Sequence, residues 1–119
     1  MNDPLTGFAA MDCRLAAMES SMLPASPEQL GGRRLKGRLI RVIAQARTKV
    51  VGAETRTGRF AVRRLDAADQ KLAKFVRLLG KGQRAQRIAV ALGQELSGHA
   101  GKAMAEVPAL RAALIASGS

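Results

Sequence analysis

Apolar residues return at helical intervals through most of this chain. Phe8, Met11, Leu15, Met18 and Met22 follow one another at spacings of 3, 4, 3 and 4. That alternation keeps side chains on one side of a helix and suits packing against another helix. Asn2 or Asp3 can cap this first helix, Pro4 suits its first turn, and Cys13 falls opposite the seam. Residues 23–32, LPASPEQLGG, lack periodicity and hold two prolines and two glycines, the composition of a linker. Leu35, Leu39, Val42, Ala46 and Val50 then share one face at about 100° per residue, predicting a second helix that GAETRTGR ends. A third helix is predicted over 60–79, with Val62, Leu65, Ala68, Leu72, Phe75, Val76 and Leu79 on its apolar side. Phe60, between Arg59 and Arg63, is the only candidate for a base-stacking aromatic, but the favoured expectation places it in the core. GKG at 80–82 reads as a turn, Gln83 to Leu96 as a fourth helix and SGHAG at 97–101 as a further break. Pro108 is expected to open or kink a last short helix ending near Ala116.

The pattern predicts an all-α fold: a small bundle of four to five short helices, with an N-terminal amphipathic helix on a Pro/Gly linker. The expected divisions are helix 1–22, linker 23–32, a basic helical core over 33–107, and a short C-terminal helix and tail over 108–119. Composition agrees. The 119 residues include no Trp, no Tyr and three Phe, so the core must be built from Leu, Ile, Val, Met and Ala. Three methionines in the N-terminal seam make an adaptable apolar surface. Phe8, Met11, Leu15, Met18 and Met22 are therefore expected either to pack at home or to join copies of the chain into a homo-oligomer.

Charge changes the picture most. The net charge is +11, and it is concentrated: residues 33–87 hold 17 basic residues against Glu54, Asp66 and Asp69. Residues 1–32 are net acidic, and residues 88–119 balance. From residue 29 to residue 53 there is no acid at all, while Arg33, Arg34, Lys36, Arg38, Arg41, Arg47 and Lys49 line the second helix. Ordinary solvated helix faces alternate Glu with Lys at i, i+4 to offset repulsion. So much like charge calls for an anionic partner.

Nucleic acid is the expected partner, because arginine forks grip phosphate and neutralised phosphates release counterions. Arg56, Arg59, Arg63 and Arg64 extend the candidate surface. Single-strand and RNA modules lean on aromatic platforms that three phenylalanines cannot build, so duplex DNA is favoured, with structured RNA held by its backbone as a variant. A helix-turn-helix fits poorly: with Gly80 as the turn glycine, Val76 stands where a small residue belongs and Gln86 where an apolar one belongs. The competing expectation is a helical adaptor whose basic surface docks on an acidic protein. A membrane surface is a weaker partner, since the apolar faces lack the aromatic residues of interfacial helices.

Catalytic chemistry has little to build on. SGHAGKA at 97–103 approaches a phosphate loop, but Leu96 replaces its first glycine and Ala103 its hydroxyl. One Cys and one His exclude an ordinary zinc site within one chain, and no carboxylate pair shows acid/base spacing. Asp66 and Asp69 are expected as ion-pair partners. No apolar run approaches the roughly 18 residues of a transmembrane helix, and Asp3 and Asp12 stand where a signal peptide would be basic or apolar. The expectation is a cytoplasmic, non-enzymatic nucleic-acid-binding protein without cofactor or metal, an accessory or architectural factor.

Overall fold

Four helices carry almost all of the described chain. The computed structural model describes residues 7–56 and 58–118, with side chains to residue 116. In order these are α1 (Gly7–Met22), a single 3-10 turn (Pro27–Gln29), α2 (Arg33–Glu54), α3 (Gly58–Arg84) and α4 (Val90–Gly118). The expected caps Asn2 and Asp3, with Pro4, lie outside the described residues.

Pairwise contacts fix the direction of each helix. Asp12 and Glu19 of α1 meet Arg47 of α2, and Lys36 reaches back to Leu23, so these helices run antiparallel. Leu35 lies beside Gly82 while Gly52 lies beside Arg64, which sets α2 against α3. Asp66 pairs with Arg111 and Gly82 abuts Ile88, which sets α3 against α4. Gly7 adjoins Leu110 and Arg14 binds Glu106, so α4 returns along α1 and closes the ring. The fold is an up-and-down four-helix bundle.

The core follows from the periodicity. Met11, Leu15, Met18, Met22, Leu39, Ile43, Ala46, Val50, Leu65, Leu72 and Phe75 are fully buried. The methionine seam is thus packed into the chain's own core. Each such large side chain contributes about 1.5–3 kcal/mol relative to remaining exposed. Phe60 departs from expectation: it is 60% exposed, and Ala61 takes the buried position beside it.

The linker is pinned rather than free. Ala25 and Leu30 are buried, Leu30 pairs with Ile88 in an isolated antiparallel bridge, and the Ala89 amide donates to the Gln29 carbonyl. The connection before α2 and the one before α4 therefore lock together. Gly31, at φ 81°, turns the chain into α2 in a conformation that other residues adopt only with strain.

Two expected breaks are helical. GKG lies inside α3, because a bare Cα at Gly82 lets Ile88 and Leu35 come close: an added Cβ would sit 2.5 Å from Ile88 Cδ1 and 3.1 Å from Leu35 Cδ2. That packing outweighs the roughly 1 kcal/mol that helical glycine costs. The helix ends instead at a Schellman turn, with Arg87 N–H donating to the Gly82 carbonyl, Gln86 N–H to Gln83, and Gln86 at φ 58°. SGHAG likewise lies inside α4. Leu96, Ala100, Ala103, Val107 and Leu110 recur every three or four residues and are buried, so the seam carries the helix across Ser97, Gly98 and Gly101. Pro108 is internal and exposed; it removes one N–H donor without ending the helix, and no separate short C-terminal helix forms.

Candidate functional site

The outer groove between α2 and α3 gathers most of the positive charge. Taking Arg34 as reference at 100° per residue, Arg38, Arg41, Gln45, Lys49 and Gly52 stay within about 60° of it on α2. On α3 the matching arc holds Phe60, Arg63, Arg64, Ala67, Lys71, Lys74, Leu78 and Lys81. Because α2 and α3 are adjacent and antiparallel, these two arcs face one groove, with the core on its other side.

The groove deepens at each end. One hollow, of about 360 Å³, is lined by Arg34, Leu35, Arg38, Leu78, Lys81 and Arg87, among others. The second, of about 270 Å³, is lined by Lys49, Arg56, Phe60, Arg63, Arg64 and Ala67. The pairs Phe60/Leu78, Arg63/Lys81 and Arg64/Gly82 are each 18 residues apart on α3. Eighteen residues make about five helical turns, so both hollows lie on the same line, about 27 Å apart. Arg41, Lys71 and Lys74 bridge the interval.

None of the described acids lines either hollow. Among the described residues, Asp12 and Glu19 pair with Arg47, Glu106 with Arg14, and Asp66 with Arg111. Glu54 and Asp69 stand about 160–180° round their helices from the groove line. Arg64 lies across α2 where Gly52 leaves room, its Cδ 3.5 Å from where a Cβ would stand.

The eleven cations expected at the site divide. Arg33, Arg34, Arg38, Arg41, Arg56, Arg59 and Arg63 are exposed, and half-buried Lys49 and Arg64 line the second hollow. Lys36 and Arg47 are used inside the fold. Lys36 Nζ donates to the carbonyls of Leu23 (3.1 Å) and Ala25 (2.5 Å) and so clamps the linker. Arg47 Nε donates to Asp12 at 2.9 Å and Nη1 to Glu19 at 3.1 Å. Those hydrogen bonds hold the Arg47 pKa above the ordinary arginine value. Both residues stand about 140–160° from Arg34 round α2, and that angle was the available signal.

Lys71, Lys74, Lys81, Arg87 and Phe60 join the groove though not expected there. Lys81 falls in a stretch that reads as a turn, and only continuation of α3 puts it in register with Arg63. The single cysteine and single histidine, Cys13 and His99, share a shallow hollow of about 210 Å³ between α1 and α4 with Arg14. No group of three or more His, Cys, Asp or Glu among the described residues is placed to hold a metal. None of the described helices is long and apolar enough to cross a membrane. Comparison with protein-family models, curated proteins and solved structures yields no match to this chain.

Proposed function

We propose that this protein binds nucleic acid, above all duplex DNA, by laying the phosphate backbone along the α2–α3 groove as a non-enzymatic accessory or architectural factor. The observation that carries this reading is the unbroken cationic line of Arg34, Arg38, Arg41, Lys49, Arg63, Arg64, Lys74 and Lys81 with no acid among them. A row about 27 Å long matches about eight base steps at 3.4 Å each. Arginine dominates it, which suits two-pronged contact with phosphate oxygens.

Docking on an acidic protein is less well supported. Protein interfaces centre on a desolvated apolar or aromatic cluster, whereas the groove offers chiefly cations, with Phe60 and Leu78 set at opposite ends. Four acids are committed to internal arginines, so the surplus charge must be met from outside the chain. A cytoplasmic setting belongs to the same reading.

The test is the double substitution of Arg38 and Arg41 by Glu, both exposed and on the groove side of α2. It should abolish binding of a labelled duplex in an anisotropy titration while leaving helical circular dichroism unchanged. Normal duplex binding combined with loss of a protein partner would favour the adaptor.

A further inference from the structure

Phe60 is out of place for a structural side chain. Of the three phenylalanines, Phe75 is fully buried and Phe8 half-buried, while Phe60 is 60% exposed. Exposing a phenyl ring in water is unfavourable, and this one stands in a hollow walled by Lys49, Arg56, Arg63 and Arg64. The hollow, about 270 Å³, falls just below the range of small-molecule sites and is far too small to seat a helix. An apolar aromatic face beside several phosphate-binding cations has one natural complement: a planar base carrying its own phosphates.

We propose that the hollow at the α2–α3 turn takes an unpaired nucleotide of the bound nucleic acid, its base stacked on Phe60 and its flanking phosphates held by Arg56, Arg63 and Arg64. This rests on the proposed nucleic-acid reading and deepens it. Within a paired duplex the base faces are covered by their neighbours, and a groove-bound protein meets only base edges and backbone. Phe60 can therefore engage only a base that has left the stack, at a single-stranded tail, a gap or a junction. The other hollow, 18 residues along α3, has Leu78 in the equivalent place and no aromatic ring. The groove thus has direction: backbone contacts along its length and a base-stacking stop at the Phe60 end. The target that fits both features is a duplex next to a single-stranded segment.

Stacking of a base on an aromatic side chain accounts for roughly 1–3 kcal/mol by alanine substitution. Phe60→Ala should then weaken binding of a duplex with a single-stranded tail about 5- to 150-fold. Binding of the same duplex without the tail should not change. A second measurement is available because the chain has no Trp and no Tyr. Phe60→Trp places the sole strong emitter at the site, and its fluorescence should be quenched by the tailed duplex and not by the blunt one. Equal weakening of both duplexes by Phe60→Ala, no weakening of either, or an indole indifferent to the tail would overturn the proposal while leaving groove binding intact. Failure of the unaltered chain to bind either duplex would remove both readings together.

Discussion

Arginine serves two ends in this chain, and single residues separate them. Arg47 holds Asp12 and Glu19 across the α1–α2 contact, while Arg38, about two and a half turns earlier, faces solvent in the groove. Partly exposed pairs of the Arg47 type contribute about 0.2–1 kcal/mol each. Arg47→Gln should therefore lower stability by about 1 kcal/mol in urea unfolding and leave duplex affinity within a factor of about two. Arg38→Gln should do the reverse, weakening binding with no change in unfolding midpoint. If Arg47→Gln weakens binding as much as Arg38→Gln, the division between internal and external cations is wrong. Because its pKa is raised, Arg47 contributes stability below the ordinary arginine pKa and loses it only as pH climbs through the raised value. The Arg47 charge is therefore constant across neutral pH. Residue type alone did not distinguish Arg47 from Arg38; angle round the helix did.

Elements with a strong seam were legible in the sequence, including the end of α1 at Met22 and the start of α2 at Arg33; the end of α3 and the extent of α4 were not. Five apolar residues at 3–4 spacing marked α1, and Leu39, Val42, Ala46 and Val50 marked α2. α3 and α4 ran past the glycines that punctuate them, because Gly82 serves close packing and Ala100 and Ala103 continue a buried line of small residues. Alanine in a helix seam carries little hydropathy, so the pattern there fades although the packing does not. In this structure the seam of α1 is buried as part of the core. Met11, Leu15, Met18 and Met22 each contribute about 1.5–3 kcal/mol by leaving water. Together they rival the whole net stability of a small domain, about 5–15 kcal/mol. Deleting residues 1–27 should abolish the cooperative thermal transition followed by circular dichroism. A truncated chain that still unfolds cooperatively would instead mark α1 as a detachable arm.

For the whole molecule, charge sets the terms. The bundle is 47 × 28 × 19 Å, and its surplus cations crowd one long side. The sequence pointed to an anionic partner as an expectation, and nine of the eleven cations it singled out are exposed or line the groove hollows. It did not show that α2 and α3 form one groove, because that depends on their adjacency and on the full length of α3. Nor did it place Phe60 at the surface, since an aromatic next to a buried Ala61 has the same local pattern as a core residue. If the groove neutralises roughly 5 to 8 phosphates, binding is driven by counterion release and must decay with salt. The decisive measurement is duplex affinity of the full chain against salt concentration. Groove binding to phosphates predicts a straight line of log affinity on log salt, with a slope of about −0.9 per phosphate, and a loss of roughly several hundredfold or more between 50 and 200 mM. A flat dependence, or no binding at the lower concentration, would contradict it.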